Sequence, residues 1–534
     1  GIDIDIQTSA GNSIALFEAG AKKVILGGSI SGSAASTGSF GRLHINGGVL
    51  KLDTNSRISL SNNDSNSYNT VFGYSAFNDS SNDASDRNTA IGYDAMGIGT
   101  ISAANDNVAV GAYALSDITS GNTNTAVGSR AGESITTAYS NVAIGYQSLA
   151  QHTTGLNNVA IGYNAMRVTG AGSTSAGSEN NVFIGKEAGG GTWTDAASNQ
   201  NVGIGSYALD GAMAGANANT AVGYNALSGV TGGDYNTAIG AHSMVALTTG
   251  EANVGLGINV LTTLLTGERN IAIGNNAMYD LDAGTTAQDS DDNIFIGYIA
   301  GGGAWADVKS EFNVGIGNYV MDAVMNGAVN NTALGHQASS ALTTGGGNAT
   351  LGYKSGFALT SGTNNVMIGR SAGSATTDVD QAVIIGGNSG LGIMTNAADG
   401  TVAIGYYAGG AITSGGSNTA IGYESAKVLT TGANNTYLGY QTGLVHTGDN
   451  TTYIGYKAGL ASTSGDYNVA LGASAHAHNV SGDSNTAIGY GSQTGVATNS
   501  YSNNTSVGFQ SLESVTTGGT NSALGAYSLL ENTT

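Results

Sequence analysis

One short phrase recurs along this 534-residue chain: Asn, then Thr or Val, a small residue, an aliphatic residue, and Gly. It reads NTAVG at 219–223, NTAIG at 236–240 and NTAIG again at 485–489. With the glycine as a ruler there are 26 copies, from Gly73 to Gly525; the usual step is 17 residues and the extremes are 16 and 23. A period near 20 is the mark of a solenoid, in which each repeat is one coil stacked on the next. Such a chain grows in one dimension and needs no single core. The three or four globular domains that length alone suggests are therefore not expected.

Numbering each coil from its Asn, positions two and four are β-branched or aliphatic: Thr220 and Val222, Val142 and Ile144, Ile271 and Ile273. Position three is mostly Ala or Gly. This alternation predicts a β-strand with two unlike faces. The Val/Ile face is expected to fill the inside of the coil and the smooth Ala/Gly face to approach another chain; the rival assignment exchanges the two. The second half of the coil ends in polar turns such as TTG (343–345, 430–432) or SGD (464–466, 481–483), with a short second strand expected to lead into them. Asn heads 23 of the 26 copies, the departures being Ala382, Thr401 and Thr451. Stacked Asn side chains can hydrogen-bond as a ladder, and Asn tolerates the left-handed backbone of a corner. The Tyr after the motif glycine, present in 12 copies, is expected to stack into a structural ladder, with a carbohydrate-binding strip as the competing use.

Composition narrows the class further. The chain has 86 Gly, no Pro, no Cys, 10% charged residues and a net charge of −21. Collagen needs proline and a strict triplet, and disorder does not fit 40% apolar residues in a fixed pattern. The acidic balance argues against nucleic-acid binding and against a polybasic membrane contact. No disulfide or thiolate metal site can form. No run of about 18 apolar residues exists to cross a bilayer as a helix. The sequence opens at Gly1 without Met and ends inside a repeat, which suggests a piece of a longer product. Two other solenoids fit less well. A hexapeptide helix would repeat an aliphatic residue every six positions, and nonapeptide calcium rolls need a G-G-x-G-x-D phrase that is missing here.

The phrase Asn-[TSV]-[AV]-[IV]-Gly-x-x-[SA], as in NVAIGYQSL (141–149) and NTSVGFQSL (504–512), resembles the head repeat of trimeric autotransporter adhesins of the YadA type, over roughly residues 69–534. That resemblance implies a left-handed parallel β-roll, with three chains sharing one axis. The coils here are longer than in those heads. Longer coils of this NTAVGYNAL…TTG kind, and the stretch SGSAASTGSFGRLHINGG (31–48), are similar to repeats in phage tail-fibre and other virion fibre proteins of marine type. The expected fold is thus an all-β, left-handed β-roll of about 26 coils in a homotrimeric fibre. One coil buries few aliphatic side chains against the entropy of ordering 17 residues, so a second buried face would help. At a strand spacing of about 4.8 Å the shaft would be ~120 Å long. Residues 1–68 alternate as strands but lack the phrase, and read as a neck or adaptor before the shaft of 69–534.

A longer period lies inside the short one. Residues 181–223 match 293–335, with coil steps of 23, 20 and 18 in the same order. Trp193 and Trp305 occupy matching places, as do Phe183 and Phe295. Two readings stand for the Trp residues: they present a flat ring to a host glycan from bulging coils, or they plug the extra loop. The acidic turns 78–86 and 288–293 have oxygen ligands suited to Ca²⁺, with solvated turns the ordinary alternative, and no cofactor is otherwise expected. His476 and His478, on a strand, would share a face and could clip a metal. No H-E-x-x-H or Walker phrase is present, and no catalytic residue is singled out. The functional expectation is a virion tail or head fibre, extracellular, acting as a rigid trimeric spacer and host-attachment shaft. A bacterial surface adhesin head is the alternative, and a polysaccharide-degrading tail spike a second one. Expected partners are further copies of the chain, other virion or cell-surface components, and a host glycan or other receptor; nucleic acid and membrane insertion are not expected.

Overall fold

The computed structural model describes residues 5–7, 13–16, 68–77, 85–170, 174–280 and 287–533. The chain forms two compact units, Gly1–Ser59 and Leu60–Thr534. In the first, Asp5–Gln7 pairs antiparallel with Ser13–Leu16. The remainder of the neck expected over 1–68 lies outside the described residues, apart from Tyr68.

The second unit is a parallel β-solenoid of 26 strands, from Thr70–Phe72 to Ser522–Leu524. Every strand has three residues and contains positions two to four of the phrase. Each pairs in register with the strand of the next coil, as in Thr220↔Thr237, Ala221↔Ala238 and Val222↔Ile239. The first strand pairs only with the second and the last only with the one before it, so the sheet is an open ladder. Beyond the strand, the described part of each coil turns; no second strand forms. Adjacent turns still bond to one another, through Leu115 N–H to Ala131 O (3.0 Å) and Leu149 N–H to Ala165 O (3.0 Å), for example. These bonds tie each turn to the next, but alternating left-handed residues break the pleat.

The faces of the strand are the reverse of those expected. Ala221, Ala238 and Ala272, at position three, are fully buried, whereas Ile144, Ile204, Ile239 and Leu256, at position four, are 37–44% exposed. Space decides this. Position nine supplies Met or Leu to the interior (Met166, Leu209, Leu227, Met244) and position twelve supplies Ile or Leu (Ile118, Leu247, Leu264, Leu342), all fully buried. Burial of each contributes roughly 1.5–3 kcal/mol. A 17-residue coil with these already inside has room for little more than a methyl group at position three.

The same volume rule explains the exceptions. Where position three is large, position nine becomes Gly: Phe183 with Gly189, Phe295 with Gly301, Met367 with Gly373, Ile384 with Gly390, Tyr437 with Gly443 and Tyr453 with Gly459. A Cβ on Gly459 would come 2.2 Å from the Tyr453 ring. Large rings also face small residues in the next coil, since a Cβ on Gly203 or Gly315 would lie 2.5–2.6 Å from Phe183 or Phe295.

The Asn ladder forms as expected. Oδ1 of Asn219 accepts from both the backbone N–H (2.9 Å) and Nδ2 (3.1 Å) of Asn236, whose Nδ2 also donates to Gly250 O (2.8 Å). It is interrupted at Ala382, Thr401 and Thr451, where Asn365 Oδ1 still receives the Ala382 N–H (2.8 Å) and Asn435 Oδ1 the Thr451 N–H (2.9 Å). The head Asn does not take the left-handed corner. That falls to the residue before it (Ser140, φ 59°; Tyr235, φ 61°) and to positions seven and nine (Gln147, φ 54°; Leu149, φ 50°). These lie in the small left-handed well, which many residue types enter at a cost of about 1–2 kcal/mol. The motif glycine is different. Gly240 has φ 134°, outside that well, and a Cβ there would stand 2.1 Å from Gly257 O. Steric exclusion therefore keeps position five as Gly while the other corners vary.

Candidate functional site

The two tryptophans, read as glycan contacts or as plugs of the extra loop, are inside. Trp193 and Trp305 are fully buried, each packed edge-on against the Phe of its own coil at 5.8 Å (Phe183–Trp193 and Phe295–Trp305). Trp305 Nε1 donates to Gly301 O at 3.0 Å. The longer coil folds the indole inward over the glycine that the Phe requires. Neither ring has a face left for a sugar, so the glycan-contact reading of Trp193 and Trp305 is corrected and the plug reading stands.

His476 and His478 are not on a strand. Both follow the strand Val469–Leu471 in the turn, with His476 fully buried and His478 half-buried. They do not share a face, so the metal clip fails on geometry. Of the acidic turns, 78–84 lies outside the described residues. In 288–293, Asp292 pairs with Arg269 (2.7 Å), and Asp291 accepts from Glu268 N–H (2.7 Å). The guanidinium of Arg269 holds the Asp292 carboxyl below its ordinary range. Among the described residues no group of three or more His, Asp or Glu could hold a metal ion, and no helix is long and apolar enough to cross a membrane.

Burial instead concentrates polar groups in the C-terminal coils. Tyr437, His446, Tyr453, His476 and Tyr501 make ring contacts in sequence, at 5.8, 5.3, 5.8 and 5.6 Å. His446 stands at position twelve and His476 at position nine, where other coils carry Leu or Met. His446 bonds Tyr437 OH (2.6 Å) and Gly465 O (2.8 Å) through its two nitrogens. His476 Nε2 accepts from Asn479 Nδ2 (3.1 Å). Gln493 faces the same ring and favours its charged form, yet His476 Nδ1 and Gln493 Oε1 complete no well-formed bond. His152 sits at position twelve of an earlier coil, between Thr169 Oγ1 and Asn158 Nδ2 (3.1 Å each). Burial pushes His152 down to about 4 and His476 to about 3, and lowers His446 as well.

Two outward features run along the shaft. The first is the ribbon made by positions two and four. None of the 26 coils places a charged residue at either position. Position four is aliphatic in every coil except the first, where it is Phe72. An apolar depression of about 250 Å³ lies on the ribbon at Ala349, the only Ala at position two, between Leu334 and Leu351. The second feature lies across the glycine bend: the aromatic column at position six. Tyr406, Tyr423, Tyr440 and Tyr456 stack in four successive coils, at 5.5, 5.2 and 5.4 Å with interplanar angles of 8–21°. Shorter stacks occur at Tyr74–Tyr93 and Tyr146–Tyr163. Cations sit over rings of this column and of the neighbouring position seven, with Lys457 Nζ 5.2 Å from the Tyr456 centroid and Arg130 5.2 Å from that of Tyr113 at position seven.

The column was legible in the sequence, because Tyr follows the motif glycine. The interior Tyr–His series was not anticipated; for Tyr437 and Tyr453 the signal was a large position three with Gly six residues later, a pattern that His446, His476 and Tyr501 do not share. No protein-family model matches the chain, and no curated protein matches it either.

Proposed function

We propose that this chain is the shaft of a virion fibre, in which three copies associate through the outward aliphatic ribbon to make a rigid spacer for host attachment. The observation that carries the reading is the ribbon itself. A strip of Thr, Val, Ile and Leu without one charge, on a chain of net charge −21, continues through 26 strands. Soluble monomers rarely expose apolar patches beyond a few hundred Å². A copy of the same ribbon is the complementary partner, because the spacing of side chains along it is set by the same coil repeat. The roles of the two strand faces are thus exchanged from the sequence expectation, and the need for a second buried surface stays.

The test is the mass of the full chain in solution. A particle of three times 52.9 kDa supports the trimer, and a stable single-chain species sinks it. Immunogold labelling of virions with an antibody to the shaft then separates a virion fibre from a cell-surface adhesin.

A further inference from the structure

We infer that the exposed tyrosine patch of coils 405–457 is a binding site for a linear neutral glycan, which would lie along the shaft axis over Tyr406, Tyr423, Tyr440 and Tyr456. This rests on the host-attachment reading and assigns that attachment a place which the buried Trp193 and Trp305 cannot supply.

The patch is built from two adjacent columns. Tyr406, Tyr423, Tyr440 and Tyr456 are each 42–53% exposed. Near-parallel rings at centroid separations of 5.2–5.5 Å are offset, so each leaves part of its face open, like shingles. Tyr407 stands perpendicular beside Tyr406 at 4.6 Å. Lys427 Nζ lies 5.3 Å from the Tyr407 ring and 2.7 Å from Glu424 Oε1, while Gln441 Nε2 donates to Glu424 Oε2 at 2.9 Å. Planar polar side chains are thus fixed next to aromatic faces, and this is the pairing a sugar requires. Its C–H face packs on rings, and its hydroxyls need donors and acceptors already held in place. A linear glycan, with one sugar following another along an axis, matches a register of rings repeated coil after coil. The similar pair Tyr146–Tyr163 stacks at 5.5 Å without a third ring, so the four-ring run is a feature of this patch and not of every pair in the column.

The test applies the full chain to an array of neutral and acidic glycans, with a proline-rich peptide, the other common ligand of exposed aromatic rows, as a separate arm. The wild type is expected to retain linear neutral glycans. Tyr440→Ser and Tyr407→Ala should weaken that binding tenfold or more, and Tyr440→Phe by less. The control Tyr146→Ser, in an equally exposed stack, should leave it unchanged. Melting temperatures of all variants distinguish lost binding from lost folding. Retention of no glycan, retention of the peptide alone, or equal loss in the Tyr146→Ser control would overturn the assignment. Solution mass on the same samples keeps the two readings apart. A trimer that binds no glycan removes the patch and leaves the shaft, and a monomer that binds through Tyr440 does the reverse.

Discussion

Tyr437 and Gly443 fill one space between them: a Cβ on Gly443 would lie 2.4 Å from the Tyr437 ring, and the ring is itself fully buried. In this coil, as in the five others with a large position three, one interior space is shared between positions three and nine. Close-packed interiors resist a change of even one methylene group, so neither residue can change size alone.

Tyr437→Ala should therefore destabilise the C-terminal coils by about 3–5 kcal/mol, the usual range for an emptied aromatic site. Gly443→Leu alone should be at least as damaging, because the ring blocks it. The double variant restores the Ala–Leu pairing of coils such as 221/227, and should recover much of the loss. A double-mutant cycle by thermal melting measures the coupling, and additive effects would reject the shared-volume account.

Gly240→Ala tests the stacking corner. With φ 134° and a Cβ 2.1 Å from Gly257 O, even one methyl group must push adjacent coils apart. The expected cost is on the order of 3 kcal/mol, from strain of this class alone. Ala218, at φ 55°, is the contrast: Ala218→Gly should be neutral or mildly stabilising. Hydrogen exchange at the flanking coils reads out the difference.

Charge on the ribbon separates association from folding. Ile239, Leu256 and Ile273 lie in consecutive coils at position four, with their side chains outward. Replacing all three by Asp should leave the circular dichroism of the coil intact and reduce the solution mass to that of one chain. Ala238→Leu, one position away but facing inward, should instead lower the melting temperature. If the Asp variant keeps its multimeric mass, the ribbon is not the contact.

Acid should loosen the shaft from the buried histidines. Their folded values lie below the unfolded value near 6.5, so the unfolded chain binds more protons between the two. Stability is complete above about pH 6.5 and falls as pH drops toward 4, by on the order of 2 kcal/mol per fully buried ring at pH 5. Asp210 acts oppositely: burial pushes its carboxyl up to about 6, so the folded state protonates first and gains as pH falls. His476→Leu, which fits position nine of other coils, should flatten the loss in coils 469–504. Melting curves from pH 8 to pH 4 check the slope, and an unchanged slope in His476→Leu would refute the assignment.

Much of this architecture is readable from residues in order. The coil length follows from the glycine ruler, the strand from the alternation at positions two to four, and the Asn ladder from the recurrence of one side chain at one place. Each is a periodic signal, and a stack converts period in sequence directly into neighbours in space. The tertiary structure alone decided which strand face closes the coil. Both faces are uncharged and apolar, so alternation separates them without orienting them. The choice depends on residues five to eight places further on, whose Met, Leu and Ile occupy the interior and leave position three only a methyl group. The same enclosed volume drew Trp193 and Trp305 inward, paired large rings with glycines six residues away, and left the aliphatic ribbon and the tyrosine column on the outside.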